Sequence, residues 1–358
     1  MGNYIAKKII NTCITLFGVV TVIFFLFNIL PGDPARMMLG QNEDAAQLQI
    51  VQQKYGFDQS VFTQYLYYLN DLSPLSIHSN TDEHYTNLSS KNYKYVSLFK
   101  TKKKSVILKW PYLRTSFTRQ GKNVSELLKD TFPNTLILAS TSIIIALFLG
   151  VFLGIISALY KDRWIDKLIL VISTLGMSLP SFFSAIIFAW LFGFLWHEFT
   201  GLEMTGNLVE LDDYGEYGAL QFQNLILPSI VLGIRPLAVV SQLMRNSLLE
   251  VFNQEYIKTA QAKGLSAKQV LLRHALKNAM SPVVTAISGW FASLLAGAVF
   301  VEYVFGWNGL GKEIVNALNT LDLPVIMGAV LIIASIFVVL NIIVDIIYAY
   351  LDPKIKLN

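Results

Sequence analysis

Residues Gly306 to Glu313 read Gly-Trp-Asn-Gly-Leu-Gly-Lys-Glu. The spacing nearly satisfies the phosphate-loop pattern G-x-x-x-x-G-K-[ST], in which backbone N–H groups cradle phosphates and a hydroxyl holds magnesium. Glu313 stands where that hydroxyl belongs. No strand pattern precedes the stretch, and the residues before it belong to a long apolar run. It therefore reads as a glycine-rich turn leading into a short helix, with Phe305 and Trp307 at a membrane interface. A second cluster has metal-ligating types: His78, Asp82, Glu83 and His84. It lies in a polar, uneven stretch and reads as solvated surface. The single cysteine, Cys13, excludes an intramolecular disulfide framework and a multi-cysteine metal site.

Three ionisable residues lie within or at the end of apolar runs: Arg235 beside Pro236, Glu302, and Asp345 near Asn341. A charge at the bilayer centre costs about 2.5–3.5 kcal/mol on insertion scales, so such residues are functional candidates by default. All three are candidates for a translocation path or gate. Arg235 could face a substrate carboxylate or pair with a carbonyl, and Asp345 could instead bond to a neighbouring helix. No paired carboxylates, His-rich motif or Ser–Lys pair accompanies them. No catalytic residue and no metal site is expected.

The elements that must position these residues are membrane helices. The 358 residues are 54% hydrophobic and 15% charged, against roughly 25% charged in a soluble domain. Apolar segments at about 9–30, 134–160, 167–195, 224–244, 279–301 and 324–350 are long enough to cross a bilayer. They are too long and too uniformly apolar for barrel strands. The first follows Lys7 and Lys8 but exceeds the roughly 7–15 residues of a signal h-region, so it reads as a retained helix. The sequence thus predicts an all-α polytopic membrane protein with six transmembrane helices.

Basic residues near the spans set the orientation. Lys7 and Lys8, then Lys161, Arg163 and Lys167, then Arg245, Lys258, Lys263, Lys268, Arg273 and Lys277, then Lys354 and Lys356, all fall on one side. On the other side, loop 196–223 has no Lys or Arg but carries Glu198, Glu203, Glu210, Asp212, Asp213 and Glu216, and the only Lys or Arg of loop 302–323 is Lys312. Both termini are expected in the cytoplasm. Gly306–Glu313 is then external, away from ATP. Residues 31–133 are also external despite Lys100-Thr-Lys-Lys-Lys104, because loops beyond about 60 residues escape the charge rule.

The expected organisation is an N-terminal segment and first span (1–30), an external loop subdomain (31–133), a five-helix core (134–350) and a cytoplasmic tail (351–358). Within the subdomain, residues 42–72 read as two helices broken near Gly56. An insertion at about 76–109 reads as exposed and uneven.

Loop 245–278 is the most informative cytoplasmic segment. Leu248, Leu249, Phe252, Tyr256, Ile257 and Ala260 form one helical stripe. Gly264 should end that helix, and Ser266 should cap a second helix carrying Val270, Leu271, Leu272 and Leu276. The unit could lie on the membrane surface or dock a cytoplasmic partner.

Glu255-Tyr-Ile-Lys-Thr-Ala-Gln-Ala-Lys-Gly-Leu265, with His274-Ala-Leu-Lys-Asn-Ala279 and Pro282, resembles the coupling loop of permeases of the dipeptide/oligopeptide/nickel class of ABC importers. Pro31-Gly-Asp-Pro-Ala35, Asp130-Thr-Phe-Pro-Asn-Thr-Leu136, Ser178-Leu-Pro-Ser-Phe182, Gly297-Ala-Val-Phe-Val-Glu302 and Leu351-Asp-Pro-Lys354 follow in the family's order. Two departures stand out. Lys258-Thr259-Ala260 replaces the Glu-Ala-Ala of the broader superfamily, and the insertion 76–109 interrupts the first external loop.

The resemblance implies a type I importer permease fold in a bacterial inner membrane. It implies a paralogous permease, two ABC ATPase subunits, an extracytoplasmic substrate-binding protein and surrounding membrane lipid as partners, and no nucleic acid. ATP and magnesium would be used by the ATPase subunits, and no cofactor by this chain. Glu255, Tyr256, Lys258, Ala260, Ala262, Lys263, Gly264 and His274 would couple to the ATPases. Glu302 would stand at a gate or contact the binding protein. Di- or oligopeptides lead as substrate. The competing readings are a secondary transporter or channel acting without an ATPase, and a membrane-embedded enzyme. Internal repeats would mark the first and a catalytic set the second, and neither is evident.

Overall fold

The computed structural model describes residues 2–29, 34–39, 45–80, 85–88, 94–119, 121–211 and 217–351. In chain order the helices are α1 (Gly2–Ile29), α2 (Pro34–Leu39), α3 (Ala45–Tyr55), α4 (Val61–Leu72), α5 (Val124–Leu159), α6 (Trp164–Ser178), α7 (Ser181–Phe188), α8 (His197–Thr200), α9 (Gln223–Phe252), α10 (Glu255–Ala262), α11 (Ala267–Gln269), α12 (Leu276–Gly297), α13 (Val299–Val304), α14 (Leu310–Asn319) and α15 (Leu323–Leu351). Wider π-helical turns extend α7 over Ala189–Leu195 and join α11 to α12 over Val270–Ala275. The strands are β1 (Leu75–Ser79), β2 (Tyr95–Lys100), β3 (Lys104–Lys109), β4 (Val209–Leu211) and β5 (Tyr217–Leu220).

Among the described residues, five helical stretches are long and apolar enough to cross a membrane, and a bent pair counted as one span makes a sixth. The third span is broken, contrary to the single run expected from its hydropathy. α6 and α7 meet at 108° across Leu179-Pro180. Proline lacks an N–H and forces the residue before it out of the helical region, and Leu179 is extended with ψ 133°. α5 begins ten residues before the expected start at 134. Its 36 residues make it about 54 Å long, well beyond the hydrocarbon layer of about 30 Å.

The chain divides into two compact units. One comprises Ile9–Asp130 and Glu313–Ala334. Its apolar core joins Val20, Ile23 and Phe24 of α1, Tyr65 and Tyr68 of α4, and Met327 of α15. The expected break between two helices lies at Gly56, whose φ of +72° favours glycine. Asp322 caps the loop after Arg114: it accepts from Phe117 N at 3.1 Å, Thr118 Oγ1 at 2.8 Å and the Ser116 hydroxyl.

The described residues of the insertion carry more regular structure than their composition suggests. β1, β3 and β2 form an antiparallel sheet in that order, with Ile77 opposite Val106 and Val96 opposite Leu108. His78 is buried, not solvated as expected. Its Nδ1 donates to Thr86 O at 2.8 Å, which leaves Nε2 to accept from Ser76 Oγ at 2.9 Å. Period-two alternation hides such residues on one face of a strand, and the polar composition masked that pattern. Asp82, Glu83 and His84 lie outside the described residues. Among the described residues no group of three or more His, Cys, Asp or Glu side chains could hold a metal.

The other unit comprises Met1–Lys8, Thr131–Lys312 and Ser335–Asn358. It has two apolar clusters. One gathers Leu138, Ala185, Leu225, Val231, Leu294, Val301, Phe305 and Trp307. The other gathers Val240, Met244, Leu248, Ile257, Ala260, Val270, Ala275 and Val283.

Candidate functional site

The segment between the fourth and fifth spans is shorter than the sequence suggests, because α9 runs on to Phe252 and absorbs residues 245–252. A two-residue break at Asn253-Gln254 then turns the chain into α10. Ile257 and Ala260 are buried against Leu248, Val270 and Ala275, so α10 is pinned from beneath by two apolar side chains. Tyr256, Lys258, Ala262, Lys263 and Gly264 are exposed. Gly264 has φ +80°, and a Cβ there would meet nothing within 4 Å, so conformation alone demands glycine. Ser266 and Gln269 close a full capping box on α11.

Of the eight sequence-predicted residues here, seven lie on α10 and its C-terminal turn. His274 lies in the π-helical turn, half-buried. A bridge ties the two parts: Asn278 Nδ2 donates to Tyr256 Oη at 2.8 Å and to His274 O at 3.1 Å. Ala260 faces the chain's own core and Ala262 faces out, so the two small residues have different surroundings. Lys258 Nζ lies 2.8 Å from Glu255 Oε1, both side chains largely exposed, a pair of little energetic weight.

Sequence reasoning missed the strongest ion pair of this region. Arg245 Nε and Nη2 both reach Asp166, each at 2.7 Å, and Ser157 and Asp162 N also donate to that carboxylate. Both side chains are largely buried. The pair ties the end of α9 to the start of α6. Asp166 was legible only as an acid amid Lys161, Arg163 and Lys167, a weak signal.

Around Glu302 the chain builds a closed cradle. Glu302 is fully buried on α13. Its carboxylate accepts from Gly311 N at 2.6 Å and Lys312 N at 3.3 Å, at the start of α14, where backbone donors and the helix dipole favour negative charge. Burial nevertheless dominates and pushes its carboxyl up to about 7, with a Thr135 hydrogen bond and the two backbone donors opposing. A Cβ at Gly309 would overlap the Glu302 carboxylate, and one at Gly311 would overlap the Val299 backbone. Trp307 Nε1 donates to Asn134 O at 3.0 Å, Asn134 Nδ2 to Asn308 O at 2.8 Å, and Leu310 N to Thr135 Oγ1 at 2.8 Å. Phe305 and Trp307 are buried in the apolar core of this unit rather than presented on its surface. The turn is thus a welded structural element, with no room for a phosphate.

Arg235 is exposed on α9, and its Nη2 lies 3.5 Å from Met177 O, just before the break of the third span. α15 runs through position 345, but the Asp345 side chain lies outside the described residues.

With this geometry in place, comparison with known proteins identifies the class. Residues 150–357 match the family described as binding-protein-dependent transport system inner membrane component, and residues 1–139 match its N-terminal domain. The chain belongs to that family. It is similar to the glutathione transport system permease protein GsiC of Escherichia coli K12, at 32% identity over 99% of each chain. The Salmonella typhimurium protein of the same name matches equally, at 32% and 99%. A solved inward-facing form of the MetNI methionine ABC transporter shares 15% identity, covering 64% of this chain and 97% of that one, with a TM-score of 0.49.

The chain is therefore a multi-pass inner-membrane permease subunit of a binding-protein-dependent ABC importer, itself non-catalytic. A transporter or channel independent of an ATPase, and an embedded enzyme, are set aside by that membership. An importer of this class works with ATPase and substrate-binding protein subunits.

Proposed function

We propose that this permease forms half of a translocation pathway for di- or oligopeptides and is driven through α10. The termini and α10 lie on the cytoplasmic side in this reading, and a paralogous permease supplies the other half. The observation that carries it is the construction of α10: pinned by Ile257 and Ala260, turned by Gly264, and exposing Tyr256, Lys258, Ala262 and Lys263. A short helix anchored on one side and bare on the other is suited to sit in a partner's groove and transmit its movement. Glu255, Lys258 and Lys263 meet rim charges there, Tyr256 fixes the helix against α12 through Asn278, and His274 is assigned to the same coupling surface. ATP and magnesium are bound by the partner ATPases, and this chain binds no cofactor. Arg235, beside the broken span, Glu302 and Asp345 are assigned to the path and its gate, with Glu302 acting by holding the external turn.

Peptide specificity is supported by the relatives named for glutathione transport, since glutathione is itself a modified tripeptide. The test is uptake by the reconstituted complex. Labelled di-, tri- and oligopeptides should enter in an ATP-dependent way. Ala262→Trp and Gly264→Pro should abolish uptake and binding-protein-stimulated ATPase activity while the chain remains in the membrane. Normal coupling in both variants would remove α10 from this role, and uptake of nickel but no peptide would overturn the substrate.

A further inference from the structure

The small sheet of the insertion is inside out. Its covered face carries Ser76, His78, Ser105 and Lys109 around Ile107, and all five are buried. Lys109 Nζ donates to the carbonyls of Asp71 and Ser73. Its bare face carries Leu75, Ile77, Val96, Phe99 and Leu108, each between 48% and 74% exposed, with half-buried Val106 among them. An antiparallel sheet with one wet face normally shows the opposite pattern, apolar inward and polar outward.

The register proves that these residues share a face. Leu75, Leu108 and Val96 form one row, and Ile77, Val106 and Phe99 form the next. A bulge makes the second row possible. The pairing shifts between Ser97 and Phe99, so Leu98 is the extra residue and Phe99 is re-aimed onto the side of Val96. Without it Phe99 would fall on the other face. At one end of this face lie Lys102, Lys103 and Lys104, all exposed. At the other end stands Trp110, 87% exposed.

We propose that this face is a membrane-docking surface that rests on the lipid leaflet beside the first span. Three observations favour lipid over a protein. α4 packs along the end of α1: Tyr65 and Tyr68 stack near Phe24 at 5.3 and 5.6 Å, and Tyr65 Oη is 2.7 Å from Thr21 Oγ1. Phe24 lies four residues from the end of the candidate span at Asn28, about 6 Å along the helix, so α4 sits at membrane level. β1 begins three residues after α4, which keeps the sheet at the membrane margin.

The composition is also that of an interfacial element. Aliphatic and aromatic side chains enter the acyl boundary, a tryptophan sits at the headgroup level, and lysines reach phosphates. Lys104 continues the line of Val106 and Leu108 on the bare face, where its stem can lie on apolar surface and its ammonium can reach a headgroup. The surface would fix the subdomain against the bilayer, and this does not depend on the proposed substrate or on α10.

The test uses the purified full chain, alone and with its partner subunits, in nanodiscs on a Cys13→Ser background. Single cysteines replace Ile77, Val96 or Phe99 on the bare face, and Ser97 on the opposite face, each carrying a bimane label. Labels at 77, 96 and 99 should be quenched by phosphatidylcholine spin-labelled near the headgroup and shielded from aqueous iodide. The label at 97 should show the reverse. Adding phosphatidylglycerol should deepen lipid quenching at 99, and replacing Lys102, Lys103 and Lys104 by Gln should undo that gain, each lysine being worth about fivefold in surface occupancy. Free access of iodide to 77, 96 and 99 in both lipids would overturn the proposal. So would shielding that appears only with the binding protein or partner subunits and brings no lipid quenching, because the face would then belong to a protein.

Discussion

Two turns in the same unit use glycine for different reasons. At Gly264 the space for a Cβ is empty and only the left-handed φ requires glycine. At Gly309 and Gly311 the space is filled by the Glu302 carboxylate and the Val299 backbone. The first turn is presented outward on a helix pinned by two side chains. The second is closed over a buried acid and tied to Asn134 and Thr135 by three hydrogen bonds. Loose surroundings suit a surface that must meet a moving partner. Filled surroundings suit a turn that must hold its shape.

The contrast can be broken at its foundations first. Arg245→Gln would leave Asp166 buried without its charge partner, a loss of about 3–5 kcal/mol. Thermal unfolding of the purified complex should show it, and the double variant with Asp166→Asn should recover part of it. Next comes Gly311→Ala. A methyl there forces the backbone of Val299 to shift, at about 1–3 kcal/mol, so folded yield and Tm should fall. The surviving protein should still couple ATP hydrolysis to uptake.

Glu302→Gln sharpens the same turn through pH. The carboxyl of Glu302 is raised from 4.5 to about 7 in the folded chain. Its neutral form is therefore favoured by folding. The stabilisation is fully present below the unfolded value and is lost as pH rises from about 4.5 through about 7. The Tm of the natural protein should fall across that window relative to Glu302→Gln, which cannot ionise.

Gly264→Ala should cost only about 1–2 kcal/mol, the strain of a left-handed residue. Unlike Gly311→Ala, it should reduce stimulated ATPase activity more than it reduces Tm. The smallest effect is expected at Lys258→Ala. The exposed Glu255–Lys258 pair contributes under about 0.5 kcal/mol, so Tm should not move measurably.

Much of the fold was legible in the sequence. Long apolar runs marked the spans, because hydrocarbon selects them residue by residue. Gly56 and Gly264 marked turns, and Ser266 marked a cap, because those signals are local. The break at Leu179-Pro180 was signalled by its proline, but the run was apolar throughout and hydropathy does not report bends. Of the candidate site, the buried positions Leu248, Ile257 and Ala260 were legible, but the single stripe expected over Leu248 to Ala260 is divided between α9 and α10 at Asn253-Gln254, and Tyr256 is exposed rather than on the packed face. The Asp166–Arg245 pair was not legible, since its partners stand 79 positions apart.

By itself, the sequence determined that the chain lives in a membrane, roughly where its spans fall, and which loop carries the family's motif. Those properties follow from composition and short-range spacing. Only the tertiary structure decided that Glu302 is entombed beneath its own glycines, that Ala260 faces inward, and that the sheet of the insertion turns its apolar side out. Each of these depends on which distant atoms fill the space around a side chain, and that is settled by packing.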